Sequence, residues 1–274
     1  MAGTLYLVPT PIGNLGDISR RCAETLAAVD LIAAEDTRVT LKLLSHLGLK
    51  KPLVSYYRHN TDEAGEKLLE RLQAGENVAL CTDAGTPAVS DPGEDLVALC
   101  AANGVPVVAL PGPCALTTAL SVSGLPTARF TFEGFLPMNK KNRRTQLEEL
   151  KNERRTMIFY EAPHKLRNTL SDLAETFGGD RRISLCRELT KLHEEVLRTT
   201  LAEAVELCRE KEPRGEYVLV VEGACLQKEE ATLADGLERV SALMEEGLSR
   251  KDAVRQAAKE LGLSRGELYN AAVE

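Results

Sequence analysis

Between residues 4 and 109 short apolar runs alternate with amphipathic segments, and no other feature of the sequence restricts the fold so strongly. The strand-like runs are residues 4–8, 31–34, 53–55, 78–81 and 105–109; the helical patterns between them are 20–28, 40–47, 62–73 and 94–103. Two strands joined through a helix of about 10 residues run parallel, because the crossover returns the chain to the end of the sheet where it began. The hand of such crossovers is fixed as well, which drives the helices onto the faces of the sheet. The expected fold class is therefore α/β, opening with an αβα N-terminal domain on a mostly parallel sheet. Gly104 follows the last helical pattern, where a helix end favours a left-handed residue.

Pro-Gly-Pro at 111–113 breaks this rhythm and sets the first domain at residues 1–112. A helix at 115–122 and a strand at 130–135 then precede a basic segment. Residues 157–160 read as strand and 163–177 as helix; 183–188, 194–200 and 217–222 read as further strands, the first two close enough for a hairpin. This mixed pattern predicts an α+β second domain over 113–228. From Thr232 only helical patterns remain, in a helical C-terminal extension over 229–274. Ser249 and Ser264 are N-cap candidates and Gly262 a C-cap, so the end of the chain reads as helix, turn, helix. Either a helix-turn-helix or a plain antiparallel helix pair satisfies that pattern.

The seven cysteines are scattered without a Cys-x-x-Cys pair, and the four histidines are dispersed. The cysteines read as small buried side chains in a reducing compartment, and the scatter of both residue types suggests neither a disulfide framework nor a metal site. No apolar run reaches the roughly 18 residues of a membrane span, and the opening MAGTLYLVPTPIGN lacks the basic start of a signal peptide. A cytoplasmic protein without membrane contact is expected. The net charge of −7 sets a condition on any nucleic-acid partner: phosphate contacts have to come from a local basic patch.

Three loops of small residues follow strands of the first sheet, at residues 8–17, 82–93 and 111–118. In an open α/β sheet ligands bind beyond the carboxyl ends of the strands, where all three loops lie. Glycine, alanine and serine let backbone come close to a flat ligand, and proline holds that backbone rigid. The three together predict a nucleoside-type ligand. Neither G-x-G-x-x-G after the first strand nor G-x-x-x-x-G-K-[ST] occurs, which disfavours an ordinary dinucleotide or nucleoside triphosphate.

Six segments, LVPTPIGNLGDIS, AAEDTRVTLKLL, CTDAGTPAVSDPG, LPGPCALTTALSVSGLP, FYEAPHKL and RGEYVLVVEG, stand in the order and spacing of a known family. Over residues 4–225 the chain resembles the bacterial 16S ribosomal RNA cytidine 2′-O-methyltransferase I family of the tetrapyrrole-methylase superfamily. The resemblance implies S-adenosylmethionine as methyl donor, bound between the first two domains, a homodimer, and 16S ribosomal RNA or the small ribosomal subunit as partner. Carried over by motif, the cofactor-binding residues are Pro11, Ile12, Asp83, Ala84, Gly85, Thr86, Pro87, Val89, Ser90, Ala115, Leu116 and Tyr160. Where the superfamily has glycine-aspartate-proline, this chain reads Gly85-Thr86-Pro87, so the contact of that aspartate is in question.

Methyl transfer from a sulfonium needs mostly positioning, which can supply about 7–11 kcal/mol. A base for the weakly acidic ribose hydroxyl adds roughly 10²–10⁴ in rate. Glu35 and Asp36, directly after the second strand, are the catalytic candidates; the competing role for Asp36 is to cap the next helix and pair with Arg38. Arg187, Glu188, Lys191 and Glu194 form a second charged group, readable as site or as solvated edge, and His164 opens a helix as base, cap or surface residue. RNA-binding candidates are Arg38, Arg187 and Lys191 with Lys140, Lys141, Arg143 and Arg144, which open a basic run at 138–155 that is otherwise a solvated face. A tetrapyrrole C-methyltransferase, a non-catalytic nucleic-acid-binding regulator and a structural assembly partner are the competing functions.

Overall fold

The computed structural model describes residues 1–225 and 232–273. The chain divides into two compact units, Met1–Ala224 and Cys225–Glu274. The expected boundary between residues 228 and 229 lies outside the described residues.

The first unit opens with a parallel sheet of β1 (Leu5–Leu7), β2 (Leu31–Ala34), β3 (Leu53–Ser55), β4 (Val78–Cys81) and β5 (Val107–Ala109), in the order β3-β2-β4-β1-β5. Every residue of β2 and β4 is buried, as the unbroken apolar runs LIAA and VALC require in a sheet covered on both faces. Helices α1 (Arg20–Ala28) and α2 (Thr37–His46) bury Cys22, Leu26, Leu43 and Leu44 against Ile32 and Ala79 on one face. On the other, α3 (Thr61–Gln73) and α4 (Glu94–Ala102) bury Leu68, Leu72 and Leu96 against Leu31, Val78 and Leu80. Each fully buried aliphatic side chain stabilises by about 1.5–3 kcal/mol, so the layering follows from the pattern of the runs.

Two boundaries differ from the sequence reading for local reasons. β5 starts at Val107, not at residue 105, because Pro106 has no N–H for the ladder; its carbonyl still accepts from the Leu5 N–H at 2.9 Å. α2 starts at Thr37, three residues ahead of the apolar pattern, because the Asp36 carboxylate accepts from the Arg38 N–H at 2.8 Å and caps the helix there.

The second sheet contains β6 (Phe130–Phe135), β7 (Thr156–Glu161), β8 (Arg182–Arg187), β9 (Glu195–Thr200) and β10 (Tyr217–Val221), ordered β6-β7-β10-β8-β9. β6 and β7 are parallel and the other pairs antiparallel, with β8 and β9 forming the expected hairpin. Its two faces are told apart by alternation: on β10, Val218 and Val220 pack with Leu116 and Leu120 of α5 (Ala115–Val122). Leu219 and Val221 face α7 (Pro163–Phe177) and a helix absent from the sequence reading, α8 (Leu201–Glu210). The signal for α8 was present as a capping box, since Thr200 Oγ1 accepts from the Glu203 N–H and the Glu203 carboxylate accepts from the Thr200 N–H. The basic segment also folds, as α6 (Lys140–Leu150). Only Leu147 of α6 is buried, which left its apolar period too faint to read.

The second unit holds α9 (Leu233–Glu245), α10 (Arg250–Leu261) and α11 (Arg265–Ala271) around Val240, Leu243, Val254, Ala257 and Leu268. Ser249 and Ser264 cap α10 and α11, and Gly262 ends α10 in the left-handed conformation at φ +69°, as the sequence pattern predicts. Among the described residues no helix is long and apolar enough to cross a membrane.

Phe159 on β7 is fully buried, at 0% exposure, between β6, β10 and the α7 face. Phe159→Ala is expected to lower unfolding stability by about 3–5 kcal/mol. Leu192→Ala, at a position 93% exposed, is expected to stay within about 0.5 kcal/mol. Urea unfolding followed by circular dichroism checks both.

Candidate active site

The strand order sets the loops after β2, β4, β1 and β5 side by side at one edge of the first sheet. Hydrogen bonds lace them together. The Thr10 N–H donates to Gly85 O at 2.9 Å and the Gly85 N–H returns a bond to Thr10 O at 3.0 Å. Thr10 Oγ1 donates to Thr82 O at 3.1 Å, and Thr86 Oγ1 reaches Pro113 O, in the loop after β5, at 2.9 Å. Gly85 makes its turn at φ +92°, where any side chain is strained, and a Cβ there would touch Ile12 at 3.5 Å. Ala88 and Ser90 also have left-handed φ, 63° and 72°, without being glycine; such strain persists only where its surroundings impose it.

The loops after β1, β4 and β5 form one wall of a cavity of about 530 Å³. The opposite wall is the α5 face of the second sheet, with Tyr160, Cys186 and Val218. Of the residues singled out in the sequence, Ile12, Ala84, Gly85, Thr86, Val89, Ser90, Ala115 and Tyr160 line the cavity, with Lys191 and His164 at its second-sheet side. Pro11, Asp83, Pro87 and Leu116 do not line it. Leu116 acts from behind, its N–H donating to the Tyr160 hydroxyl at 3.1 Å and fixing that ring against α5. Burial raises the Tyr160 pKa, so the phenol keeps its own proton.

The structure separates the expected catalytic pair. Asp36 is taken up by its cap and by Arg38, whose guanidinium meets it at 2.6 Å; these bonds hold its carboxyl down at about 2. A carboxylate so stabilised is a poor proton acceptor, and the cap reading of Asp36 is the one the geometry supports. Glu35 differs: burial raises its pKa, against an opposing bond from the Asp83 N–H at 3.4 Å. Asp83 is likewise raised by burial, opposed by the Asp36 N–H at 3.0 Å. Neither Glu35 nor Asp36 lines the cavity.

The carboxylate that does line the loop wall is Asp91, which sequence reasoning passed over. Burial pushes it up to about 6, the charges of Glu35 and Asp83 add to the rise, and Thr82 Oγ1 donates to it at 3.3 Å. In the sequence it looked like one more acidic turn residue between Ser90 and Pro92. Its distinction comes from the fold, which gathers three carboxylates from the ends of β2 and β4 in a half-buried place.

On the other wall the Lys191 ammonium donates to Glu216 at 2.7 Å and Glu188 at 2.9 Å. Burial works against its charge, but those carboxylates prevail and raise its pKa. Glu194 accepts from the Thr190 N–H, Arg187 pairs with Glu195, and His164 is exposed on the first turn of α7. The basic run divides. Arg143 is buried in an ion pair with Asp172 of α7, at 13% and 8% side-chain exposure, and also donates to the carbonyls of Pro137 and Met138. Arg144 pairs with Glu175. Among the described residues Lys140 and Lys141 make no ion pair. Arg143 thus holds the fold together and is not presented to a partner. Among the described residues no group of acidic, cysteine and histidine side chains is arranged to hold a metal ion.

A parallel sheet whose loops face a second, mixed sheet across one cavity is the layout of a methylase class. The family Tetrapyrrole (Corrin/Porphyrin) Methylases matches residues 4–205, and the RsmI C-terminal HTH domain matches 230–274. Among solved structures, uroporphyrin-III C-methyl transferase from Thermus thermophilus, complexed with S-adenyl homocysteine, shares the fold at a TM-score of 0.57 and 18% identity, covering 80% of this chain and 97% of its own. Curated relatives are far more similar. Ribosomal RNA small subunit methyltransferase I of Synechocystis sp. is 48% identical over 273 residues, 99% of this chain and 98% of that protein. The protein of the same name in Escherichia coli O157:H7 is 48% identical over 274 residues, 99% of this chain and 95% of its own. The chain belongs to the ribosomal RNA small subunit methyltransferase I family.

The raised pKa of Asp91 has a measurable consequence for stability. The folded state favours its neutral form, so its ionised form is a destabilising load above about 6 that vanishes below the unfolded value near 3.8. Asp91→Asn, which mimics the neutral acid, is expected to melt above the wild-type protein at pH 8 and level with it near pH 4. Thermal unfolding at the two pH values checks this; an equal or lower Tm at pH 8 would show that the carboxylate is not under load.

Proposed function

We propose that the protein is an S-adenosylmethionine-dependent methyltransferase of small-subunit ribosomal RNA, and that the acceptor is the 2′-oxygen of a cytidine ribose in 16S RNA. The observation that carries this reading is the 48% identity, over nearly the whole length of both chains, to relatives named for ribosomal RNA methylation. In the same reading the protein works in the cytoplasm as a homodimer.

The cavity suits the cofactor. Its 530 Å³ lies within the roughly 300–1,000 Å³ of small-ligand sites. Ile12, Val89 and Ala115 give apolar walls for a flat base, and Ala84 and Gly85 leave backbone close to the ligand. These residues, with Thr86, Ser90 and Tyr160, would hold it; Pro11, Asp83, Pro87 and Leu116 would support them from behind. Bound there, S-adenosylmethionine supplies an electrophilic methyl group on a sulfonium.

The chain's own task is then to position a ribose hydroxyl and take its proton. Asp91 is the base in this reading. A pKa of about 6 leaves it ionised at neutral pH while making it a better acceptor than an ordinary carboxylate. Glu35 stands behind Asp91 as part of the charge that tunes it. Lys191, fixed by Glu188 and Glu216 across the cavity, places a cation where a phosphate or developing alkoxide would sit. Lys140 and Lys141, exposed at the start of α6, offer cations for the RNA backbone.

The kinetic expectation follows from the acid form of Asp91 being inactive. Wild-type kcat/KM is expected to fall about tenfold per pH unit below 6. Asp91→Asn should lose roughly 10²–10⁴ in rate at pH 8 with cofactor affinity, measured by calorimetry, retained. A pH profile flat down to pH 5 would remove Asp91 from the base role.

The acceptor atom is decided by alkali. Alkaline cleavage of RNA needs a free 2′-oxygen to attack the neighbouring phosphate. With methyl-labelled cofactor and small-subunit RNA or small subunits, the label should survive alkali in one resistant dinucleotide. Label recovered wholly in mononucleotides would mean methylation of a base, and label only on an added porphyrinogen would make the enzyme a tetrapyrrole methylase.

A further inference from the structure

Phe135 is the last residue of β6, and its ring lines the cavity while remaining 56% exposed. Leaving so large an apolar ring in water is unfavourable, and the backbone goes out of its way to do it. In β6 the register against β7 slips between Phe132 and Gly134, so that Phe132 lies opposite Ile158 and Phe135 opposite Tyr160. An unbroken strand would point residues 132 and 135 to opposite faces. The bulge, with Gly134 at φ +63°, brings both phenylalanines to the face that carries Tyr160. The outcome is a row of three rings. Phe132 and Phe135 each meet Tyr160 edge-on, with centroids at 4.9 and 5.6 Å and interplanar angles of 67° and 66°. The next residue, Leu136, returns to the core on the opposite face.

The surroundings select the occupant. The loop that leaves Phe135 is pinned by Arg143, which donates to the carbonyls of Pro137 and Met138 while anchored on buried Asp172. Beyond it, the Asn139 side chain caps α6, and the exposed Lys140 and Lys141 follow without an ion-pair partner among the described residues. A rigid exposed aromatic face next to unpaired cations is what an unstacked base on a phosphate backbone requires. A tetrapyrrole would bring carboxylates for the lysines, but no single ribose-linked ring to be held apart from its neighbours.

Resting on the reading of the protein as an RNA methyltransferase, we propose that Phe135 is the platform on which a nucleobase of the substrate stacks, splayed out of its strand so that its ribose enters the cavity. The bulge at Glu133 and Gly134 is the device that aims the platform, and Tyr160 is its backing. Phe135 is a positioning residue in this scheme and takes no part in moving the methyl group or the proton.

The chain contains no tryptophan, which makes Phe135→Trp a single-fluorophore reporter at the platform itself. Its emission is expected to be quenched by a short oligocytidylate, to respond much less to the same oligonucleotide with abasic riboses, and to be unmoved by S-adenosylmethionine alone. Phe135→Leu keeps an apolar side chain without a π face. It is expected to raise KM for small-subunit RNA roughly 5- to 150-fold, with kcat and cofactor affinity close to wild type. Quenching by the cofactor alone would assign the ring to the adenosyl moiety and overturn the proposal. So would a leucine variant with unchanged KM for RNA, or equal quenching by the abasic strand. A wild-type enzyme that methylates no RNA in the same assay would instead sink the RNA reading on which the proposal rests, a result distinct from any of these.

Discussion

The paired hydrogen bonds between Thr10 and Gly85 join the loops after β1 and β4, and the site is organised around that junction. β1 lies between β4 and β5, so one loop has a neighbour on each side, and Thr86 carries the connection on to Pro113. At the junction the backbone polar groups of Thr10 and Gly85 satisfy one another, so small residues can face the cavity without bulky side chains to prop the turns apart. The left-handed φ of Ala88 and Ser90 follows from the same constraint: the chain must re-enter α4 from a turn already fixed at Gly85.

Charge is distributed with the same economy. Cations of the second sheet and its connections are met by nearby carboxylates, such as Arg182 by Glu222, Arg187 by Glu195 and Arg155 by Glu153. Exposed pairs of this kind add little stability, about 0–1 kcal/mol each, but they cancel field. Two groups of charge stand apart from this cancellation. The carboxylates of Glu35, Asp83 and Asp91 lie together at the ends of β2 and β4, where burial raises all three and neighbouring carboxylates add to the rise. Lys140 and Lys141 stand alone at the start of α6. An acidic chain thereby keeps a cluster of carboxylates at the ends of β2 and β4 and a pair of free cations at the start of α6.

Much of this was legible in the sequence. The five apolar runs and four amphipathic segments specify a parallel αβα layer because strand and helix periods differ, and the small-residue loops mark the functional edge because only such residues let backbone pass close to a ligand. The capping serines at 249 and 264 and Gly262 declare the ends of the C-terminal helices without help from packing. The capping box at Thr200 and Glu203 was equally explicit, although the helix it starts was not read.

Tertiary structure alone decided which charges are spent and which are available. Arg143 and Lys140 look alike in a basic run, yet Arg143 is buried on Asp172, 29 positions further along the chain, and Lys140 faces solvent. Asp36 and Asp91 are both acidic turn residues, but a local cap holds one near 2 and a crowded cavity wall lifts the other to about 6. Phe135 reads as the end of an ordinary strand until one extra residue in β6 turns its ring to the cavity. Hydrophobic period and capping are local properties, recorded within a few residues of where they act. Protonation, ion pairing and the face a bulged strand presents depend on neighbours distant in sequence, so they become defined only when the chain has folded.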